Sequence, residues 1–440
     1  MSALTDHQPD DPTPGVIADP RAVEHAPLAA DKIIGQSQGP QFLPLFVLAW
    51  FGVNLAVAAM MGAAIPKAML FLDEVNKEEN TAMITAIGGV AVMIITPLFG
   101  RLSDRTMTRW GMRKPWMLGG LVVGLGGVIV LALAASIPMM IIGWVIVQVG
   151  FGATAMAQHA LLAAQIPTRI RARVAAAVGV ASGISTIAAA AIVAGLPNDA
   201  QPLWFLVPGA IGTLCALFLI IGYRDAVRTE PAPALSLSEV LSTYWLDPVR
   251  YRDFFWAWAC RFLVTMSIFT VSLFLLFLIV DVLKVPKEQA SGILALALSV
   301  FFVGNIVSTV LFGWISDRTK RRKPIIWASC FISAIGLLVC MFAGDQTQFL
   351  IGIAIVGAGQ GAYISVDVAM MTEVLPSAAE AGKDLGIVAL SYQLPQVLGP
   401  ILGAVVISTA GGQNYTGLFG YALVLSVLGG LAVLPIRAIR

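Results

Sequence analysis

The sequence predicts an all-α polytopic membrane protein in which twelve transmembrane helices form two pseudo-symmetric six-helix bundles. Three observations carry this expectation. Of 440 residues, 58% are hydrophobic and 12% charged, where a soluble protein has roughly 25% charged; mean hydropathy is +0.86. Twelve apolar runs each approach or exceed the roughly 20 residues that a bilayer core requires. One polar pattern is written twice, as Gly100-Arg101-Leu102-Ser103-Asp104-Arg105-Thr106 with Arg113-Lys114-Pro115, and as Gly313-Trp314-Ile315-Ser316-Asp317-Arg318-Thr319 with Arg322-Lys323-Pro324.

Residues 1–41 are rich in Pro, Asp, Ala and His and lack the basic start and apolar core of a signal peptide. They read as a disordered cytoplasmic tail, ending near Lys32 to Gln41 in a short interfacial segment. The first bundle, 42–222, holds apolar runs at 42–65, 80–99, 115–135, 137–164, 174–195 and 203–222. A polar central loop, 223–253, follows. It contains Pro231 and Pro233, an amphipathic piece from Leu235 to Trp245 that reads as a latch on the cytoplasmic face, and Arg250 and Arg252. The second bundle, 254–436, holds runs at 254–282, 288–312, 324–343, 347–375, 385–409 and 415–436, with a cytoplasmic end at 437–440.

Charge placement sets the expected orientation. With the N-terminus inside, 22 of the 27 Lys and Arg fall in inner segments, and Lys67, Lys77, Lys284 and Lys287 fall in outer loops. Arg261 lies within a run. This bias over short loops predicts both termini in the cytoplasm of a plasma-membrane protein. The net charge of +2 gives no reason to expect nucleic acid. Cys215, Cys260, Cys330 and Cys340 all sit in apolar runs without metal spacing and read as small buried hydrophobes. The expected partners are the lipid bilayer and a small-molecule substrate, and the chain is expected to be a monomer.

The repeat keeps register. Gly100 maps to Gly313 at an offset of 213, and Arg113, Lys114 and Pro115 map to Arg322, Lys323 and Pro324 at 209. The second offset then pairs Pro167 with Pro376 and Ser182 with Ser391. Two like halves of six helices are characteristic of secondary transporters with a site at the interface between halves. Gly100-x-x-x-Asp104-Arg105 with Gly111-x-Arg113-Lys114 resembles the signature loop of the major facilitator superfamily, and the second copy resembles its weaker repeat. Arg109 to Trp116, after Ser-Asp-Arg-Thr, is similar to the loop of sucrose/proton symporters and of glycoside–pentoside–hexuronide symporters. The resemblance implies the major facilitator fold, alternating access and cation-coupled symport. One departure argues against sucrose itself. Where plant-type sucrose symporters carry an Arg and an Asp on the fourth helix, this chain reads His159-Ala160-Leu161-Leu162-Ala163-Ala164.

The repeated loops read as a cytoplasmic gate made of Gly100, Asp104, Arg105, Arg113, Lys114, Gly313, Asp317, Arg318, Arg322 and Lys323. The glycines would leave room for a neighbouring helix. The charges would join the halves only while the protein faces outward.

A charge at mid-bilayer costs at least ~2.5–3.5 kcal/mol, so charges inside the runs are candidate function. Gln360, Tyr363 and Asp367 are spaced i, i+3, i+7 and share one helix face. The repeat maps Asp367 onto Gln158. Arg261 either snorkels to the interface or pairs with Asp367. The expectation is that Asp367 carries the coupling proton with Arg261 as its charge partner; sodium stays open as the ion, and no other cofactor or metal is expected. His159 reads as a hydrogen-bonded packing residue. Asn54, Asn305, Tyr392, Gln393 and Gln396 are further candidates for a substrate cavity. Trp50, Trp144, Trp256 and Tyr363 are candidates to stack on a sugar, while Trp204, Trp256 and Trp258 fit an interfacial belt.

The leading expectation is a proton-coupled importer of a small sugar or glycoside. The alternatives are an exporter of an amphipathic drug-like compound or natural product, and a transporter-like sensor. A sensor would need a large soluble signalling domain, which neither the tail nor the central loop supplies. No HExxH, P-loop or nucleophile–base arrangement points to an enzyme or to ATP coupling.

Overall fold

The computed structural model describes residues 33–34, 38–228, 251–319, 321–374, 381–409 and 413–437. Among them, twelve helices are long and apolar enough to cross a membrane. The first half contains α1 (Phe42–Leu72), α2 (Lys77–Arg105), α3 (Lys114–Ala132), α4 (Ile137–Gln165), α5 (Thr168–Gly195) and α6 (Gln201–Gly222). The second contains α7 (Arg252–Ser272), α8 (Lys287–Thr319), α9 (Lys323–Met341), α10 (Gln346–Glu373), α11 (Ala381–Ser408) and α12 (Tyr415–Ala432). A short helix, Leu275–Asp281, continues α7. These helices are apolar around most of their circumference, as expected where one side meets the core and the other meets lipid.

Close packing inside each half rests on glycine, because without water between helices the contact energy comes from close approach. The two halves do this identically. A Cβ on Gly127 of α3 would lie 2.6 Å from the Val147 nitrogen and 2.8 Å from the Gly143 oxygen of α4. A Cβ on Gly336 of α9 would lie 2.6 Å from the Val356 nitrogen and 2.8 Å from the Gly352 oxygen of α10. All three pairs of positions are related by the 209-residue offset, so the sequence repeat is also a structural one. The halves meet along α2 with α11 and along α5 with α8. Gly89 packs on Val397 in the first contact, and Gly183 packs on Phe302 in the second.

Several boundaries depart from the sequence reading. The first span runs on to Leu72 through a π-helical turn at Met60–Ala64. That wider turn accommodates Pro66, which directly follows the first predicted run at 42–65. Lys67 is therefore not in an outer loop: it is buried in α1, with Nζ 3.4 Å from the Val193 carbonyl and 4.4 Å from the centre of the Trp204 ring. Trp204, expected in the interfacial belt, is buried beneath it. α2 and α8 extend to Arg105 and Thr319, so Gly100, Asp104, Arg105, Gly313, Asp317 and Arg318 stand on final helical turns rather than in loops.

Part of the tail and the start of the central loop are tied down. Ile33–Ile34 pairs antiparallel with Val227–Arg228, and Gln38 Nε2 donates to Gln165 Oε1 and to the Arg224 carbonyl. The stretch near Lys32 to Gln41 thus includes a two-residue strand where a loose interfacial piece was expected. The rest of the tail through residue 37, and the amphipathic piece from Leu235 to Trp245, lie outside the described residues.

Candidate functional site

The helical spacing of α10 places Gln360, Tyr363 and Asp367 on one face, and α7 lies against it. Arg261 Nη1 is 2.8 Å from Asp367 Oδ2. The Tyr363 hydroxyl donates to Asp367 Oδ1 at 2.8 Å. Both carboxylate oxygens are therefore engaged, by one charged and one neutral donor. Asp367 is 7% exposed, whereas the Arg261 side chain keeps 21% of its surface accessible. The Arg261 side chain is thus about twice as accessible as that of Asp367, at 21% against 10%. Arg261 lies near the middle of α7, whereas Asp367 lies in the last third of α10. At 1.5 Å per residue, Arg261 is about 14 Å from the start of α7 and Asp367 about 9 Å from the end of α10. Those two helix ends belong to the end of the bundle that carries the repeated polar loops, here called the basic end.

Beyond the pair, towards the opposite end, lies a cavity of about 300 Å³. Ser267, Phe269, Phe302, Ser333, Gln360 and Tyr392 are among its lining, which is otherwise mostly aliphatic. Tyr392 is 48% exposed and meets the Phe269 ring edge-on, with centroids 5.5 Å apart. Gln360 Oε1 is buried without a hydrogen-bond partner, as are both polar atoms of Gln158, which is fully buried. An orphaned buried amide group costs about 1–3 kcal/mol. The repeat-related helices α4 and α10 thus each carry a buried amide whose polar atoms are not fully bonded within the protein.

The other candidates divide. Asn54 bonds back to the Trp50 carbonyl on its own helix. Asn305 is half-buried where its backbone oxygen faces Gly361. Gln393 is half-buried, and Gln396 Nε2 reaches Met61 Sδ across the halves at 3.8 Å. His159 is not the hydrogen-bonded packing residue expected. It is exposed, makes no hydrogen bond among the described residues, and meets the Trp50 ring edge-on at 4.6 Å. Trp144 is fully buried against Gly88. Trp256 is half-buried, and Trp258 stacks on Phe262 and donates to the Ile387 carbonyl.

At the basic end, the signature residues bond within their own half. Arg113 pairs with Asp104 and donates to Ser103 Oγ at 2.7 Å. Lys323 Nζ lies 3.4 Å from the Leu434 carbonyl, and Arg318 lies over the Trp314 ring. Lys114 lies over the Tyr223 ring, and Asp317 is exposed. Gly100 and Gly313 are not tight here, since an added Cβ would find its nearest atoms 3.8 Å and 3.9 Å away.

The opposite end is different. Lys77 Nζ of α2 lies 2.9 Å from Asp281 Oδ2. The Tyr415 hydroxyl lies 2.7 Å from both Glu78 Oε1 and Asp281 Oδ2. Lys287 pairs with Glu74 at 2.5 Å, and Asn198 donates to the Glu288 carbonyl. Each of these contacts joins one half to the other, except Tyr415–Asp281, which lies within the second half. The sequence reading missed this clasp. The available signal was Asp281, an acid inside the seventh predicted run. Among the described residues, the opposite end is clasped across the halves, whereas the bonds and ring contacts of Arg113, Lys114, Arg318 and Lys323 at the basic end stay within one half.

The family described as Major Facilitator Superfamily matches residues 45–297 and 290–439. The chain belongs to that superfamily. Among curated relatives, monocarboxylate transporter 12 of Xenopus laevis is 28% identical over 161 residues, covering 34% of each chain. The arabinose-proton symporter of Bacillus subtilis is 32% identical over 104 residues, covering 24% of this chain and 21% of that one. The chain thus aligns with about a third or less of the length of these relatives. A solved nucleoside transporter superposes with TM-score 0.69 at 14% identity, covering 90% of this chain and 99% of that one, which shows the shared fold. The protein is a membrane transporter of the major facilitator type.

Proposed function

We propose that this transporter is a proton-coupled symporter of a small sugar or glycoside, working by alternating access in the plasma membrane with both termini in the cytoplasm. The observation that carries the coupling is the Arg261–Asp367–Tyr363 triad, an acid and a base joined inside an apolar bundle and adjoining a cavity. Protonation of Asp367 removes the negative charge that balances Arg261. The guanidinium then needs another oxygen partner, and a hydroxyl-rich solute in the cavity supplies one. Proton and solute binding are thereby linked through one side chain. The sugar reading draws on the loop from Arg109 to Trp116, on the serines, amide and phenol of the cavity, and on Phe269 and Phe302 as stacking surfaces. In this reading the clasp at Lys77, Asp281 and Tyr415 opens as the signature residues of the two halves come together.

The test is a thermal-shift panel of mono- and disaccharides, aryl glycosides and cationic aromatic compounds at two pH values, followed by proton-driven uptake into proteoliposomes. A ligand at 100 times its dissociation constant adds about 2.7 kcal/mol. Stabilisation by a sugar, with uptake that a proton gradient drives, supports the symporter. A second reading, export of an amphipathic compound, is favoured by the apolar majority, aliphatic and phenylalanine, of the cavity lining. Stabilisation by apolar cations alone would replace the first reading with it.

A further inference from the structure

We propose that the basic end carries a built site for one anionic phospholipid, between the start of α3 and the end of α6. A hollow of about 440 Å³ there is lined by Arg109, Trp110, Lys114, Leu118, Ile220 and Arg224, with Asp225 and Val227. Three cations and one acid face it, and the acid is already committed. Asp225 Oδ2 accepts from the backbone nitrogens of Arg113 at 2.5 Å and Lys114 at 2.8 Å, and Oδ1 accepts from the Ala226 nitrogen at 2.9 Å. The turn holding it in place needs Gly111 at φ 108°, because a Cβ there would meet Asp225 Cβ at 2.3 Å. Arg109 and Arg224 are exposed and form no ion pair among the described residues. Lys114 Nζ lies 4.9 Å from the centre of the Tyr223 ring and feels the Asp225 carboxylate. With three cations against one acid, the hollow presents an excess of positive charge.

Its position selects a lipid. Leu118 and Ile220 belong to membrane-spanning helices and form an apolar wall continuous with Ile221, which is 78% exposed. Trp110 is 58% exposed beside the cations, the placement an indole adopts at headgroup level. Cations above an apolar wall at a helix end match a phosphate above acyl chains, and basic pockets between transmembrane helices recognise anionic headgroups. Such a lipid would bridge the strand-tied end of α6 and the signature turn before α3. The proposal stands whatever the cargo.

The test is native mass spectrometry of the purified full chain in detergent, with phosphatidylglycerol and phosphatidylcholine added in equal amount. Two cations near a headgroup predict retention of phosphatidylglycerol on the order of tenfold over phosphatidylcholine. Arg109→Ala with Arg224→Ala removes the preference. Arg109→Lys with Arg224→Lys keeps it, which separates lost charge from lost fold. Arg169→Ala with Arg173→Ala, at exposed basic positions at the start of α5, also keeps it. Equal retention of the two lipids overturns the proposal, as does a preference that survives the alanine pair or is lost in the α5 control. Displacement of the lipid by excess inorganic phosphate also overturns it, by making the site one for a soluble anion.

Discussion

Arg261 and Asp367 meet at 2.8 Å from α7 and α10, two helices that cross the membrane in opposite directions. Among the described residues neither charge forms another ion pair, and Asp367 has only the neutral Tyr363 hydroxyl besides, so each offsets the cost of burying the other. Asp367→Asn keeps the shape and the Tyr363 contact but cannot exchange a proton. The expected result is loss of accumulation against a gradient with retention of solute exchange, read in proteoliposomes by uptake and counterflow. Full accumulation by the variant would remove Asp367 from coupling.

The same pair predicts a stability pattern. Removing one partner of a buried pair costs about 3–5 kcal/mol, while removing both often costs far less. Arg261→Ala is expected to lower the unfolding temperature markedly, and Arg261→Ala with Asp367→Ala to recover much of the loss. Additive losses in the double variant would show that the two side chains do not depend on each other.

The clasp at the opposite end sets which side is open. Asp281 bonds Lys77 across the halves and Tyr415 within its own half, so Asp281→Asn weakens one cross-half contact directly and loosens the hydroxyl that makes another to Glu78. Hydrogen bonds to charged groups are worth about 1.5–3 kcal/mol, a shift of roughly tenfold or more in the ratio of the two states. A cysteine placed at Ala404, buried beside the clasp, is expected to react faster with a polar maleimide in the variant. An unchanged rate would mean that the clasp does not control opening.

What the sequence made legible follows from how far each signal stands above its background. A charge inside an apolar run has no cheap alternative, so Asp367 and Arg261 stood out and do meet. The constant offset forced Gly127, Gly143 and Val147 to repeat as Gly336, Gly352 and Val356, and the packing distances agree. Charges at helix ends are ambiguous, because headgroups accept them as readily as partners do. Lys77, Glu78 and Asp281 were lost in that background. Lys67 was hidden by Pro66, since nothing in the residue pattern announces the π-helical turn that lets the helix continue.

Glycine positions separate fold from cycle. A Cβ on Gly361 would lie 2.0 Å from the Asn305 backbone oxygen, so Gly361→Ala must push α8 and α10 apart. Such overpacking costs about 1–3 kcal/mol. Gly100→Ala meets ordinary van der Waals distances here and leaves this conformation undisturbed. Thermal unfolding is expected to show a loss for Gly361→Ala and none for Gly100→Ala, while Gly100→Ala slows transport if the other conformation closes on that face. Equal stability losses would mean that Gly100 is already tight in this state.

Asp225 gives a pH dependence with a definite sign. Burial pushes its carboxyl above the usual value of 3.8, although the backbone N–H groups of Lys114, Arg113 and Ala226 pull the other way. With the folded value above the unfolded one, the native state binds more protons in the window between them. Its stabilising share is therefore full below the unfolded value and is lost as pH rises through the folded one. Asp225→Asn retains an acceptor for the α3 nitrogens but does not titrate. The wild type is expected to gain unfolding temperature relative to Asp225→Asn as pH falls from neutral towards about 4. Asp225→Ala, which strands backbone donors, is expected to lose about 1–3 kcal/mol at neutral pH. A wild type that loses ground to Asp225→Asn on acidification would show that the N–H groups outweigh burial and that the fold is built around the ionised carboxylate.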